Sequence, residues 1–243
     1  MTTLVRIAIA LLMSLFLSSC GFDIQIGNFG TGKKGNGVVV TDTRTVSEDF
    51  TKVSASEGLM VYVTQANEFS IEVEADENVI DLIETDIRDG KLRIHAEQNI
   101  GRATKNIYVS LPKVTVLRSS SGAHLTTKNT IKTNELEIDA SSGAQLDLDV
   151  ATNEIDIDAS SGANLSVTGT ADEAVVDVSS GGNINAKNLE TRTCNADASS
   201  GGNVKIQVSK SLVADASSGG NISYSGDPNV EKKKSVSGSV HKY

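Results

Sequence analysis

In the second half of the chain, apolar residues recur at every other position in short runs. Examples are Leu136, Ile138 and Ala140; Ile155, Ile157 and Ala159; Ala174, Val176 and Val178; and Leu212, Ala214 and Ala216. Period-2 alternation predicts β-strands with one face in a core and the other in solvent. Each run ends at a Ser-Ser-Gly-(Ala/Gly)-x-aliphatic corner, beyond which the alternation resumes (Ala144, Leu146, Leu148; Ala163, Leu165, Val167). The corner glycines are Gly122, Gly143, Gly162, Gly181, Gly201 and Gly219, separated by 21, 19, 19, 20 and 18 residues. A degraded copy stands at Ser237-Gly238-Ser239-Val240, and another far upstream at Ser56-Glu57-Gly58-Leu59. A period near 19–20 residues with no helical pattern predicts an all-β solenoid of about seven coils from residue 113, roughly 30 Å long. The corner glycine is expected at positive φ, and the Ala or Gly after it keeps the inside of the corner narrow. At the first copy the parity slips: Val114 and Val116 fall outward and Thr115 and Leu117 inward, so a local shift or end-cap contact is expected.

Stacked coils put equivalent residues in columns about 4.8 Å apart. One column is Ser120, Ser141, Ser160, Ser179, Ser199 and Ser217, with the second serine of each corner beside it. Another is His124, Gln145, Asn164, Asn183, Asn203 and Asn221. Hydroxyls and amides in such columns can satisfy one another and the turn backbone. The third column carries the candidate surface site: Asp139, Asp158, Asp177, Asp197 and Asp215, between Arg118 and Lys234. Adjacent carboxylates repel unless something offsets the charge. Hydrogen bonds from the serine column would do so, and so would Ca²⁺, which takes several oxygen ligands.

The first 112 residues read differently. Strand patterns fall at 38–45, 58–65, 69–74, 91–95 and 106–111, with a hairpin turn at Asp89-Gly90. Between them, residues 76–84 suit one short helix N-capped by Asp76. This segment is expected to form irregular coils and a cap over the open end of the solenoid.

At the N-terminus, Ile7 to Leu17 is apolar apart from Ser14, too short to span a bilayer and suited to a signal peptide. It runs into Leu17-Ser18-Ser19-Cys20-Gly21, which resembles a bacterial lipobox, so Cys20 is the expected lipid attachment site. The expected organisation is a lipoprotein signal peptide at 1–19, a lipidated Cys and Gly-rich tether at 20–37, a cap at 38–112 and regular repeats at 113–243. Residues 38–243 then form one structural domain. Of two nucleotide-binding patterns in the tether, Gly30 to Gly35 lacks the strand–turn–helix context of a phosphate site, and Gly27 to Lys34 has Lys34 where a P-loop needs the Mg²⁺-binding Ser or Thr. The remaining thiol, Cys194, falls at an inward position and reads as a core residue. The net charge of −9 opposes nucleic-acid binding.

A segment such as Phe50–Val63, an expected acidic helix, then Ile87-Arg88-Asp89-Gly90-Lys91-Leu92-Arg93-Ile94 and serial Ser-Gly-Gly-Asn-Ile motifs resembles the putative auto-transporter adhesin head GIN domain family. Gly182-Asn183-Ile184 and Gly220-Asn221-Ile222 carry the likeness most directly, and it extends over about residues 46–240. The resemblance implies a parallel β-helix, right-handed as a rule, on bacterial envelope proteins, and it carries over no catalytic residue.

The expected function is a non-catalytic, lipid-anchored envelope protein that adheres to, scaffolds or recognises a protein or glycan. Its membrane contact is through lipid, most simply at the outer membrane, with the periplasmic or surface side left open. A polysaccharide-active enzyme using surface aspartates and an envelope biogenesis factor are the alternatives. Coils of 18–21 residues leave little chain for the loops that wall a cleft, and the sequence has no Trp to stack on a sugar. The scattered His95, His124 and His241 do not form a zinc pattern, and no cofactor is called for.

Overall fold

Short strands make up the N-terminal part: β1 (Val39–Arg44), β2 (Lys52–Ala55), β3 (Met60–Gln65), β4 (Ser70–Asp76), β5 (Ile83–Arg88), β6 (Lys91–Ala96), β7 (Lys105–Leu111), β8 (Val116–Ser119), β9 (His124–Thr127), β10 (Ile131–Lys132) and β11 (Glu135–Ala140). Four long strands follow, β12 (Gln145–Ala159), β13 (Asn164–Val178), β14 (Asn183–Ala198) and β15 (Asn203–Ala216), then β16 (Asn221–Ser225), β17 (Asn229–Lys232) and β18 (Ser239–Lys242). The computed structural model describes residues 32–233 and 237–243. All eighteen strands belong to one coiled sheet, a β-solenoid.

Each coil has two flanks that meet at the Ser-Gly corner. Segments before the corner stack as β5, β6, β2, β8, β11, the second halves of β12 to β15, and β17. Segments after it stack as β1, β4, β7, β3, β9, the first halves of β12 to β15, β16 and β18. Pairing is parallel throughout the coils and antiparallel only in the cap, at β1–β4, β4–β7 and β5–β6. The inward positions, including Ile138, Leu146, Ile157, Val176 and Val204, are buried in one continuous core. Each such aliphatic side chain contributes about 1.5–3 kcal/mol by leaving water.

The chain does not visit its coils in order. The β2–β3 coil lies between the β6–β7 and β8–β9 coils, although it comes first in sequence. Ser56-Glu57-Gly58 is therefore a true corner, adjacent in space to Ser120-Ser121-Gly122, and the Gly58 N–H donates to the Ser121 carbonyl at 3.0 Å.

The corners are tighter than the glycine rule alone predicts. Both the second serine and the glycine are left-handed, as in Ser161 (φ 50) and Gly162 (φ 72), and the Ala163 N–H closes the turn onto the Ser160 carbonyl at 3.0 Å. Two successive positive φ values define the tight turn whose twist matches flanking strands. A left-handed non-glycine residue costs about 1–2 kcal/mol. The stack offsets this cost, because each corner glycine N–H donates to the left-handed residue of the next coil, as Gly162 does to Ser180 at 3.2 Å. The residue after the corner packs against the preceding coil. A Cβ at Gly220 would stand 2.0 Å from the Ala198 carbonyl oxygen, so glycine is obligatory there, whereas Ala144 and Ala163 fit earlier in the stack. The last corner differs from the sequence reading: Ser239 pairs with Asn221, so Gly238 takes the place of Gly220 and Ser237 (φ 71) is the left-handed residue.

Three further expectations change in the cap. The helix over 76–84 does not form; there is only a 3₁₀ turn at Ile80–Leu82, and Asp76 ends β4. Asp76 is buried, and its carboxylate accepts backbone N–H bonds from Gly37 and Thr104, each at 2.6 Å. Val79, Ile80 and Ile83 are needed by the core, and Ile83 begins β5. The Gly-rich tether docks from Gly32 onward: the Lys33 N–H donates to Asn99 and the Gly35 N–H to Arg102. At the first regular coil Val114 enters the core rather than facing out, and Leu117 is inward as expected. Thr115 is not inward, since its hydroxyl donates to the Thr51 carbonyl at 3.2 Å. Residues 112–115 connect two coils that are not neighbours in the stack, so strand parity does not extend through them. Among the described residues no helix is long and apolar enough to cross a membrane.

Candidate surface site on the first flank

The predicted Asp column exists in the expected register. Parallel pairing sets Arg118 beside Asp139, then Asp158, Asp177, Asp197 and Asp215 in succession. The terminal cation differs. Ala214 pairs with Lys232, which brings Lys233 opposite Asp215, while Lys234 lies outside the described residues. Cys20 and the signal-peptide segment also lie outside them.

The acidic surface is wider than the column. β11 presents Glu135, Glu137 and Asp139; the second half of β12 presents Glu154, Asp156 and Asp158; the second half of β13 presents Glu173, Val175 and Asp177. Eight of these nine positions are carboxylates, with strands about 4.8 Å apart. Arg118 relieves one edge, with a guanidinium–Glu137 contact of 2.5 Å and another to Asp139 at 3.7 Å. Partial burial between rungs, followed by the charges of Asp156, Asp177, Asp139 and Glu137, pushes Asp158 up to about 6. Burial, with Asp197 and Asp156, raises Asp177 as well.

The serine column does not supply the expected compensation. It runs beside the aspartates, and the two columns enclose a shallow groove of about 230 Å³ lined by Asp158, Asp177, Asp197, Ser160, Ser179 and Ser199. Among the described residues, however, no serine hydroxyl of the column donates to an Asp of the ladder. Nor do the carboxylates converge: no group of three or more His, Cys, Asp or Glu side chains among the described residues is placed to hold a metal ion. A straight ladder spaces its ligands along a line, whereas Ca²⁺ gathers them around a point.

The amide column is in register from His124 to Asn221, and two of its members turn to their own corners. Asn164 and Asn203 donate to the carbonyls of Gly162 and Gly201 at 3.2 and 3.0 Å. His124 contacts Asp147 at 2.8 Å, and His95 contacts Asp86 at 2.9 Å. Cys194 is buried, and desolvation pushes its thiol up to about 12, far from a reactive thiolate.

The structure adds a basic half that the repeat does not reveal. Toward the cap, the same two outward columns hold Lys91 and Arg93 from β6, Lys52 from β2, and Arg118 from β8. They line a concavity of about 560 Å³ that continues into one of about 610 Å³ over the acidic strands, with Lys52, Val116 and Glu137 common to both. The exposed Val175 gives that surface an apolar component, while Val116 is buried beneath it outside the main core. Lys52 and Arg93 alternate with the core residues Val53 and Leu92, a sequence signal for outward cations. Their position beside the Asp ladder depends on coils stacked out of chain order.

Comparison with known proteins agrees with this architecture. A putative adhesin from Bacteroides fragilis superposes with a TM-score of 0.80 at 20% identity, covering 87% of this chain and 100% of its own. A putative adhesin from Parabacteroides merdae gives 0.71 at 24% identity, with 86% and 98% covered. A putative lipid binding protein from Parabacteroides distasonis gives 0.70 at 22% identity, again with 86% and 98% covered. Identities at this level show a shared fold. No curated protein matches the chain. Residues 49–228 match the family described as putative auto-transporter adhesin, head GIN domain, and the chain belongs to that family.

Proposed function

We propose that this protein is a non-catalytic recognition module of the bacterial envelope, held to the membrane by lipid at Cys20, that adheres through the first flank of its solenoid. The observation that carries the reading is the flank itself. Rigid β-stacking holds eight carboxylates in a nine-position grid at the fixed spacing of the rungs, with a basic end beside them. A backbone held by a continuous core needs no ordering on contact, and a repeated array favours multivalent binding. Membership of an adhesin-named family and a fold shared with adhesin-named structures support the same reading. The expected partner of the acidic grid is a protein or glycan surface that bears cationic groups.

Asp158 favours a second reading. A carboxyl near pKa 6 beside Asp177 is one component of an acid/base pair for glycan cleavage. The groove above it, about 230 Å³, is smaller than the roughly 300–1,000 Å³ of small-molecule sites and lacks walls. Recognition is therefore preferred. Binding of fluorescent protein to bacterial and host surfaces, compared with Asp156→Lys/Asp177→Lys, tests it; equal binding by the variant removes this flank from adhesion. Protease shaving of intact cells tests exposure, and full protection overturns an adhesin on the cell surface. Turnover of any polysaccharide that is lost on Asp158→Asn favours the enzyme.

A further inference from the structure

The charge on the first flank changes sign at one place. On the cap side of the β8/β11 junction, three successive strands present Lys91 and Arg93, then Lys52, then Arg118. On the other side, three strands present the acidic grid, including Asp139, Asp156 and Asp177. Two acids also stand at the cap rim: Asp86, whose carboxylate contacts His95 at 2.9 Å, and Asp89, next to Arg88 at the hairpin turn. Three cationic rungs followed by three anionic rungs form a pattern that is antisymmetric about its midpoint.

An antisymmetric pattern on one face is complementary to itself under a twofold rotation. With the axis lying in the plane of the flank, parallel to the strands and between β8 and β11, the first basic rung (Lys91, Arg93) meets the β13 rung (Val175, Asp177). The second (Lys52) meets the β12 rung (Asp156, Asp158), and the third (Arg118) meets the β11 rung (Glu137, Asp139). Every opposed rung then carries the opposite sign. No other placement of the axis along the flank achieves this, because moving it toward β13 sets acid against acid. We infer that the first flank is a self-recognition surface that pairs two copies of this chain antiparallel, with the twofold axis at the β8/β11 junction.

Six rungs about 4.8 Å apart and three columns about 7 Å apart make a patch of roughly 500 Å² on each partner, or about 1,000 Å² in total. That lies at the low end for specific association, so the dimer is weak and is driven by charge rather than by apolar burial. The exposed Val175 lies within the patch and adds an apolar contribution. The capped ends, where the described chain begins, lie at opposite ends of such a pair. Two tethered copies are therefore suited to meeting from facing surfaces. The inference rests on the recognition reading of this flank and names its partner as a second copy.

Sedimentation velocity of the purified protein from micromolar to near-millimolar concentration tests it. Dimer is expected at about 20 mM salt, with association at least tenfold weaker at about 500 mM, where the screening length falls to a few ångströms. Lys52→Glu/Arg93→Glu and Asp156→Lys/Asp177→Lys should each be monomeric, and an equimolar mixture of the two should restore a heterodimer. The exchanged residues lie on outer faces, and the mixture tests complementarity rather than folding. A monomer at every concentration in low salt overturns the inference, as does failure of the mixture to associate while both variants melt like the parent. If either result accompanies retained adhesion to cells, the recognition reading stands with a foreign partner. Loss of cell adhesion by the charge variants alongside an intact salt-sensitive dimer overturns the inference too, because dimerisation would then use another surface.

Discussion

Replacing Asp158 with Asn should stabilise the protein at neutral pH, and the gain should vanish in acid. Asp158 is surrounded by carboxylates: Asp156 on its own strand, Glu137 and Asp139 on β11, and Asp177 on β13, with Arg118 one rung beyond β11. Its folded value of about 6 lies above the ordinary 3.8, so ionisation destabilises the fold. A separation of this size is worth at most about 3 kcal/mol. The side chain is exposed, and solvent screening reduces the expected contribution to about 1 kcal/mol. The sign follows from proton uptake. Between about 4 and 6 the folded state holds a proton that the unfolded chain has lost, so stability rises as pH falls through this window. Below about 4 both states are protonated, and the contribution is flat. Urea denaturation of parent and Asp158→Asn at several pH values isolates the residue, because the shared titration of Asp177 and its neighbours largely cancels in the difference. A gain of about 1 kcal/mol near pH 7.5 that decays toward zero near pH 4 is expected. Destabilisation at pH 7.5, or a gain that persists at pH 4, would refute the argument that the ladder is a repulsive array relieved by Arg118 only at its edge.

Other positions give sharper structural tests. Gly220→Ala should cost about 2–4 kcal/mol, since a Cβ 2.0 Å from the Ala198 carbonyl oxygen forces the coils apart, whereas Gly182→Ala, at 2.8 Å, should cost clearly less; thermal melts rank them. Ser161→Asn should be neutral or mildly stabilising, because Asn tolerates the left-handed region, and Ser161→Val should cost about 1–2 kcal/mol. Asp76→Ala leaves the N–H groups of Gly37 and Thr104 without their acceptor, so amide hydrogen exchange there should accelerate and stability should fall by about 2–3 kcal/mol. Millimolar Ca²⁺ should leave the melting temperature unchanged, because the carboxylates lie in a line; a saturable rise would show that the ladder rearranges around the ion.

Much of the solenoid was legible in the sequence, because a β-helix writes its geometry locally. Alternation sets which side chains enter the core, the Ser-Ser-Gly corner sets the period, and together they place Asp139, Asp158, Asp177, Asp197 and Asp215 in one outward column. Each of those features depends on residues within one coil and its immediate successor. What tertiary structure decided is everything that joins residues distant in sequence. Ser56-Glu57-Gly58 stacks beside Ser120-Ser121-Gly122 only because the chain inserts the β6–β7 coil below and returns above, a route without a local signature. The same detour brings Lys91, Arg93 and Lys52 against the acidic grid, so the dipolar character of the flank is a property of stacking order and not of any repeat. At residues 76–84 the local helical signal lost to tertiary demand, because Asp76 holds two backbone N–H groups and Ile83 completes a strand. The amino-acid pattern by itself thus determined the coil, and long-range packing determined which coils are neighbours and hence where opposite charges meet.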